Sequence, residues 1–157
     1  VSRSSSTPPR FVPVGFEAPG GLSTDRFRLE PLGPQHNLAD LEAWTTSIEH
    51  IQRTPGFAGR DWPTRVLSLN ENLADLEGHA DDFEHLRGFT YTVIDPEDMS
   101  TVGCVYLYPS RRAGYDVDVS SWVRASRADL DRPLYETVSH WLASAWPWRA
   151  PDYAARP

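Results

Sequence analysis

The feature that most constrains this chain is a change of hydrophobic period between Leu86 and Phe89. Before it, apolar residues recur three or four apart. One run is Leu38, Leu41, Trp44, Ile48 and Ile51; a second, from about Asn70 to Leu86, is Leu73, Leu76, Ala80 and Phe83. Each run places an apolar stripe on one side of a helix. Gly78 is a mild internal cost to the second helix. After Phe89 the spacing falls to two. "FTYTVI", "TVGCVYLY" and "YDVDVSSWV" are rich in β-branched and aromatic residues and are separated by the turn segments "DPEDMS" and "PSRRAG", which predicts a three-strand meander. The helical period returns at Leu134, Val138, Trp141, Leu142 and Ala145, and Pro147 ends it. "RFRLEPL" upstream reads as a strand through Phe27 and Leu29, and "WRAPDYAARP" offers a short last one. The predicted class is α/β (α+β).

Residues 1–24 are rich in Ser, Pro and Gly and predict a flexible start followed by an extended arm, with Phe11, Val12, Val14 and Phe16 available to tack it onto the core. Residues 25–157 then form one domain. In a chain of 157 residues, 39% hydrophobic and 11% aromatic content suffices for one core. The net charge of -7 argues against a nucleic-acid phosphate partner and toward neutral or cationic small molecules. All 15 basic residues are arginine. The single cysteine, Cys104, excludes an intrachain disulfide and fits a reducing compartment. No apolar run approaches the ~20 residues of a membrane span, and no charged-then-apolar leader opens the chain, so a cytoplasmic protein without a membrane partner is expected.

Alternation in "YDVDVSSWVR" puts Tyr115, Val117, Val119 and Val123 on one face and Asp116, Asp118, Ser120, Trp122 and Arg124 on the other. The following "DVSSWVRASRADLDRPLYETVSHWL", together with the order strand, helix, helix, meander, helix, strand, resembles the GNAT superfamily of N-acetyltransferases. In that family a run of the type E-I-G-Y-W-V leads into an Arg/Gln-x-x-Gly-x-Gly/Ala loop. The resemblance spans most of Phe27 to Trp148 and implies a GNAT-like mixed, mostly antiparallel sheet flanked by helices. It also implies acetyl-CoA as cofactor, its pantetheine arm against Trp122, Val123, Arg124 and Ala125, and its pyrophosphate on the loop from Arg127 to Leu134, including Arg132. Physically such a site is an anion at a helix N-terminus.

The loop departs from the family pattern. "RADLDRPL" has no glycine to supply positive φ or close approach, and Pro133 removes one amide donor. Asp129 and Asp131 stand against Arg124, Arg127 and Arg132, a formal balance of +1. A second reading follows: an aspartate at the N-cap makes this a self-capped helix that binds nothing.

Amine acetylation needs a base for the acceptor ammonium and an acid for the leaving thiolate. By resemblance Asp118 lies where some family members carry a catalytic glutamate. Tyr106, with Tyr108, is the candidate acid, while Tyr153 in "PDYAARP" is set aside. The second helix carries Glu71, Asp75, Glu77, Asp81, Asp82 and Glu84 and no arginine from Glu71 to Glu84, an acidity able to attract a cationic amine, for which Asp81 and Glu84 are the candidate contacts. Asp81 with His85 and His79 with Asp82 have ligand spacing but no third ligand in register, so no metal is expected. Cys104 reads as a small core residue, and His36, His50 and His140 have no evident partner. No Ser-His-Asp order, P-loop or paired-cysteine zinc motif occurs. The expected function is acetyl transfer from acetyl-CoA to a small, cationic amine by direct attack in a ternary complex. The alternative is a non-catalytic GNAT-like binding module that has lost CoA binding. A third reading is a homodimer formed through exposed aromatic strands or the "WPW" segment.

Overall fold

The alternation seen in the sequence becomes two separate interiors on the two faces of one sheet. The computed structural model describes residues 10–157. Its six strands lie in chain order: β1 (Leu22–Ser23), β2 (Arg28–Pro31), β3 (Phe89–Ile94), β4 (Thr101–Pro109), β5 (Val117–Val123) and β6 (Pro151–Tyr153). Neighbours are antiparallel throughout except β5 and β6, which are parallel. Helices α1 (Asn37–Thr45), α2 (Ile48–Arg53), α3 (Leu69–Glu84) and α4 (Asp131–Ala145) flank the sheet. The mixed, mostly antiparallel α/β architecture expected from the sequence is the one observed.

One face packs against α4. There Phe89, Tyr91, Val105, Leu107, Val117, Val119 and Val123 meet Leu134, Val138, Trp141 and Leu142 in the larger core. The intervening residues Cys104 and Trp122 face the other way, into a smaller core with Trp44, Ile51, Phe57 and Leu76. The arm joins the first core: Phe11 stacks on Trp148 at 4.8 Å, Val12 is buried, and the Tyr91 hydroxyl donates to the Pro19 carbonyl at 2.6 Å. Its first nine residues lie outside the described residues, and Val14 is exposed. The tryptophans of "WPW" face inward, Trp146 stacking on Trp148 at 4.8 Å and 7°.

The single helix expected over Leu38 to Ile51 is two. Thr45 and Thr46 turn their hydroxyls back onto the carbonyls of Leu41 (2.6 Å) and Glu42 (2.8 Å), competing with the helical ladder. Ser47 then leaves helical geometry at φ -134°. Leu38, assigned to the buried stripe by its spacing, lies exposed near the start of α1. Helix α3 begins one residue before its expected start, because Ser68 and Glu71 form a capping box with reciprocal bonds of 3.1 and 3.0 Å. The short closing strand is present as β6, and β1 is an addition that alternation over two residues does not announce. Among the described residues no helix is long and apolar enough to cross a membrane.

At Gly103 in β4 an added Cβ would run into the Trp122 carbonyl oxygen of β5. Since that neighbour is backbone, no side-chain rotation relieves the clash. Gly103→Ala should therefore destabilise the fold by about 2 kcal/mol, the range of overpacking in a closed interior, read as a lower urea midpoint with unchanged slope.

Candidate active site

On the α3 side of the sheet a cleft of about 360 Å³ opens between α3, β4, β5 and the segment between α2 and α3. Its floor is aromatic: Trp62 lies 6.2 Å from Trp122, 6.3 Å from Tyr106 and 6.0 Å from Phe57 between ring centroids. The Trp122 indole N–H donates to the Tyr106 hydroxyl at 2.9 Å, fixing both rings. Burial pushes the Tyr106 phenol well above its ordinary pKa. At the rim Arg60 reaches Asp118 at 3.2 Å, both groups partly exposed.

The polar wall comes from α3, where Asp75, His79 and Asp82 follow helical spacing. The Tyr108 hydroxyl lies 2.9 Å from Asp82 Oδ2 and 2.9 Å from His79 Nδ1. An ionised carboxylate only accepts, so Tyr108 donates to Asp82 and its oxygen is left to accept from Nδ1–H. Thr90 Oγ1, 3.0 Å away, shares that proton. Across the ring, His79 Nε2 lies 3.6 Å from Asp75.

At the edge of β5 away from β4, the pairing with β6 ends at Val119 opposite Tyr153, the last residue of β6. Beyond it, side chains of the segment after β6 take up the edge of β5. The Tyr153 hydroxyl is 2.5 Å from Ser121 Oγ. Arg156, its side chain 1% exposed, donates from Nη2 to the Ser121 carbonyl at 2.7 Å and from Nε to Asp131 at 2.7 Å.

A mixed sheet in chain order, whose one parallel pair is β5 with β6, has known counterparts. The fold is that of the GNAT N-acetyltransferases. The ribosomal-protein-S5-alanine acetyltransferase of Vibrio fischeri is 10% identical, with a TM-score of 0.56 over 79% of this chain and 68% of that one. A ribosomal L7/L12 alpha-N-protein acetyltransferase in complex with coenzyme A is 13% identical, with a TM-score of 0.59 over 78% and 68%. A GNAT-family acetyltransferase of Bacillus anthracis is 9% identical, with a TM-score of 0.54 over 79% and 67%. At these identities the likeness is one of fold. No protein-family model matches the chain, and no curated protein does.

For acetyl-CoA, the cofactor that the GNAT resemblance implies, the edge of β5 beyond Val119 is already taken by Arg156. The Ser121 carbonyl on the open edge of β5 is already bonded, and the Asp131 carboxylate stands at the first turn of α4 with Oδ1 buried and unpartnered. A further anion there would meet like charge.

The residues assigned to the cofactor from sequence disperse. Arg124 bonds the Thr101 carbonyl at 3.2 Å, Arg127 pairs with Asp95 at 3.0 Å and Arg132 with Glu136 at 3.1 Å. Trp122 is fully buried in the smaller core beneath the cleft, while Val123 and Leu134 are fully buried in the larger one. The Ala125 amide donates to Ser47 Oγ at 2.8 Å. The helix is not self-capped either: residues 125–130 form a 3-10 turn running straight into α4, whose start has no side-chain cap. Asp131 is thereby freed to face Arg156. Of the amine-side residues, Asp118 and Tyr106 line the cleft, whereas Asp81 and Glu84 lie on the exposed end of α3, where Arg87 pairs with Asp81 and Asp82. Asp81, Glu84 and His85 bring ligand atoms within 4.8 Å of one another there. Phe57 and Trp62 show in the sequence only as a helix break, and His79 only through its spacing to Asp82, not through its contacts with Tyr108 and Thr90.

Beneath the cleft, Asn72 ties α3 to α1. Its Oδ1 accepts from Trp44 at 3.1 Å, and its amide donates to Asn37 Oδ1 at 2.8 Å and Asp40 Oδ2 at 3.2 Å. Burial raises the Asp40 carboxyl from 3.8 to about 6, against the lowering effect of the Asn72 bond, with Asp75 raising it further. The native state therefore binds this proton more tightly than the unfolded chain. The stability Asp40 contributes is complete below about pH 4 and lost as pH rises through about 6, a swing of roughly 3 kcal/mol. Asp40→Asn keeps an acceptor for Asn72, and should flatten the stability profile between these limits and raise stability at pH 8, measured by urea unfolding across pH.

Proposed function

We propose that the chain is an N-acetyltransferase that takes a small amine in the cleft between His79 and Trp62. The observation that carries the reading is the Asp82–Tyr108–His79 chain of hydrogen bonds, which holds the His79 ring at the wall of an aromatic cleft beside β5. An amine arrives as an ammonium. Asp75 and the faces of Phe57, Trp62 and Tyr106 attract a cation, with the acidity of Asp81 and Glu84 adding to the approach field. His79 Nε2 takes one proton and leaves the nitrogen lone pair nucleophilic. Asp118, engaged by Arg60, is assigned to holding the acceptor, and the base is His79. Tyr106 remains a protonated phenol at the cleft floor.

A second reading, a non-catalytic module that binds an amine through the same cleft, is favoured by Arg156, which occupies the edge of β5 beyond Val119 and pairs with Asp131. Release of free thiol from millimolar acetyl-CoA in the presence of small primary amines separates the two. On the first reading transfer occurs and His79→Gln lowers kcat by about 100-fold, the usual worth of a general base, whereas Asp118→Asn acts mainly on KM. Amine binding with no transfer to any amine, by the wild type or by a variant lacking the Arg156 side chain, would leave the binding module.

A further inference from the structure

The cleft beside β5 carries a cation of its own. Arg60, from the segment between α2 and α3, lines it together with Asp75 and His79 of α3. In a site for a plain ammonium ion this arginine is a liability, since it repels the ligand and competes with it for Asp118. Its setting is nonetheless built. The guanidinium lies over the Phe57 ring, 5.8 Å from the centroid, and a single nitrogen, Nη2, meets both Asp118 oxygens at 3.2 and 3.4 Å. Nη1 and Nε have no hydrogen-bond partner among the described residues. A guanidinium has five donors, so the pair with Asp118 orients Arg60 and leaves most of its bonding capacity unused. With the two side chains 44% and 37% exposed, water also screens the Asp118 charge from a second carboxylate.

The register of the sheet sets how far this cation is anchored from the polar wall. Asp118, which holds Arg60, is the cross-strand partner of Tyr108, whose hydroxyl lies 2.9 Å from the His79 ring. Directly opposed residues of antiparallel strands have Cα atoms about 5 Å apart. The end that seeks a carboxylate, Arg60, and the end that seeks an ammonium, Asp75 with His79, are therefore tied to one pair of neighbouring positions. Anchors so close suit a small molecule whose ammonium and carboxylate are themselves close. The cleft, at about 360 Å³, has a small ligand's dimensions, near the lower end of the roughly 300–1,000 Å³ usual for such sites. Phe57, Trp62 and Tyr106 add apolar surface for whatever else the molecule carries.

We propose that the amine taken by this cleft is a free amino acid with an aromatic or large apolar side chain, its ammonium toward Asp75 and His79, its carboxylate on Arg60 and its side chain against Phe57, Trp62 and Tyr106. Asp118 is then a positioning residue that acts on the ligand through Arg60. This inference rests on the reading of the cleft as the amine site of an acetyltransferase.

The test compares phenylalanine, phenylalaninamide and phenethylamine by titration calorimetry at about pH 6.5, below the α-amino pKa, so that all three are ammonium ions and only the first has a carboxylate. The wild type should bind phenylalanine about tenfold or more tightly than either of the others, the worth of a charge-assisted hydrogen bond. Arg60→Gln should bring that ratio to about one, and Asp118→Asn should narrow it. Phenethylamine or the amide bound as tightly as phenylalanine by the wild type, or a preference that survives unchanged in either variant, overturns the inference and leaves the amine acetyltransferase reading standing. The amide in that result stands for a polypeptide N-terminus. Binding of none of the three overturns both. An Arg60-dependent preference for phenylalanine with no transfer from acetyl-CoA supports the amino-acid site while removing the acetyltransferase reading.

Discussion

Everything functional in this structure depends on β5 belonging to two interiors at once. With side chains alternating along it, Val117, Val119 and Val123 are committed to the core under α4, while Asp118 and Ser120 line the cleft on the α3 side and Trp122 is buried in the smaller core beneath it. The strand can serve both because β4 seats it on one edge through seven paired positions, with Gly103 allowing close backbone approach. The other edge is paired only as far as Val119. A one-residue slip would exchange Trp122 for Ser121 or Val123 on the cleft floor and bury Asp118 in the apolar core. Register is therefore a functional constraint as well as a structural one.

Helix α3 supplies the other half by the same logic at a different period. Leu76 and Asn72 face inward, one into the smaller core and the other to the buried polar hub with Trp44, Asn37 and Asp40. That hub is fully bonded at Asn72, and a satisfied buried network fixes the rotation of the helix. Once rotation is set, Asp75, His79 and Asp82 fall toward β4, and Tyr108 and Thr90 complete the relay. Orientation of the His79 ring thus originates some distance below it, in side chains that never touch the cleft.

How far the sequence reveals this follows from the range of each interaction. The meander and helices are local periodicities, and β3 to β5, α3 and α4 are legible as such. Two threonines before Ser47 split the first helix by hydroxyl bonds that spacing alone does not disclose. Asp75 and His79 are visibly four apart, yet their meaning depends on β3 and β4 lying side by side so that Thr90 and Tyr108 reach the same ring nitrogen. Phe57 and Trp62 sit in a segment without period and show only as a break. The acidic loop is legible as a departure from the GNAT pattern. Its resolution is not, because the partner of Asp131 is an arginine 25 residues away in sequence.

That partnership also explains why charge, and not an apolar side chain, stands at the edge of β5. Replacing a buried ion pair by hydrocarbon of similar volume is commonly neutral or stabilising, since both ions lose hydration on burial. A leucine at position 156 against a small residue at 131 would fill the same space at no such cost, but it would leave the Ser121 and Ala154 carbonyls without the donors that Arg156 supplies. The ion pair is thus a matter of hydrogen-bond satisfaction at a strand edge, whereas the cleft on the α3 side rests on interlocked aromatic rings.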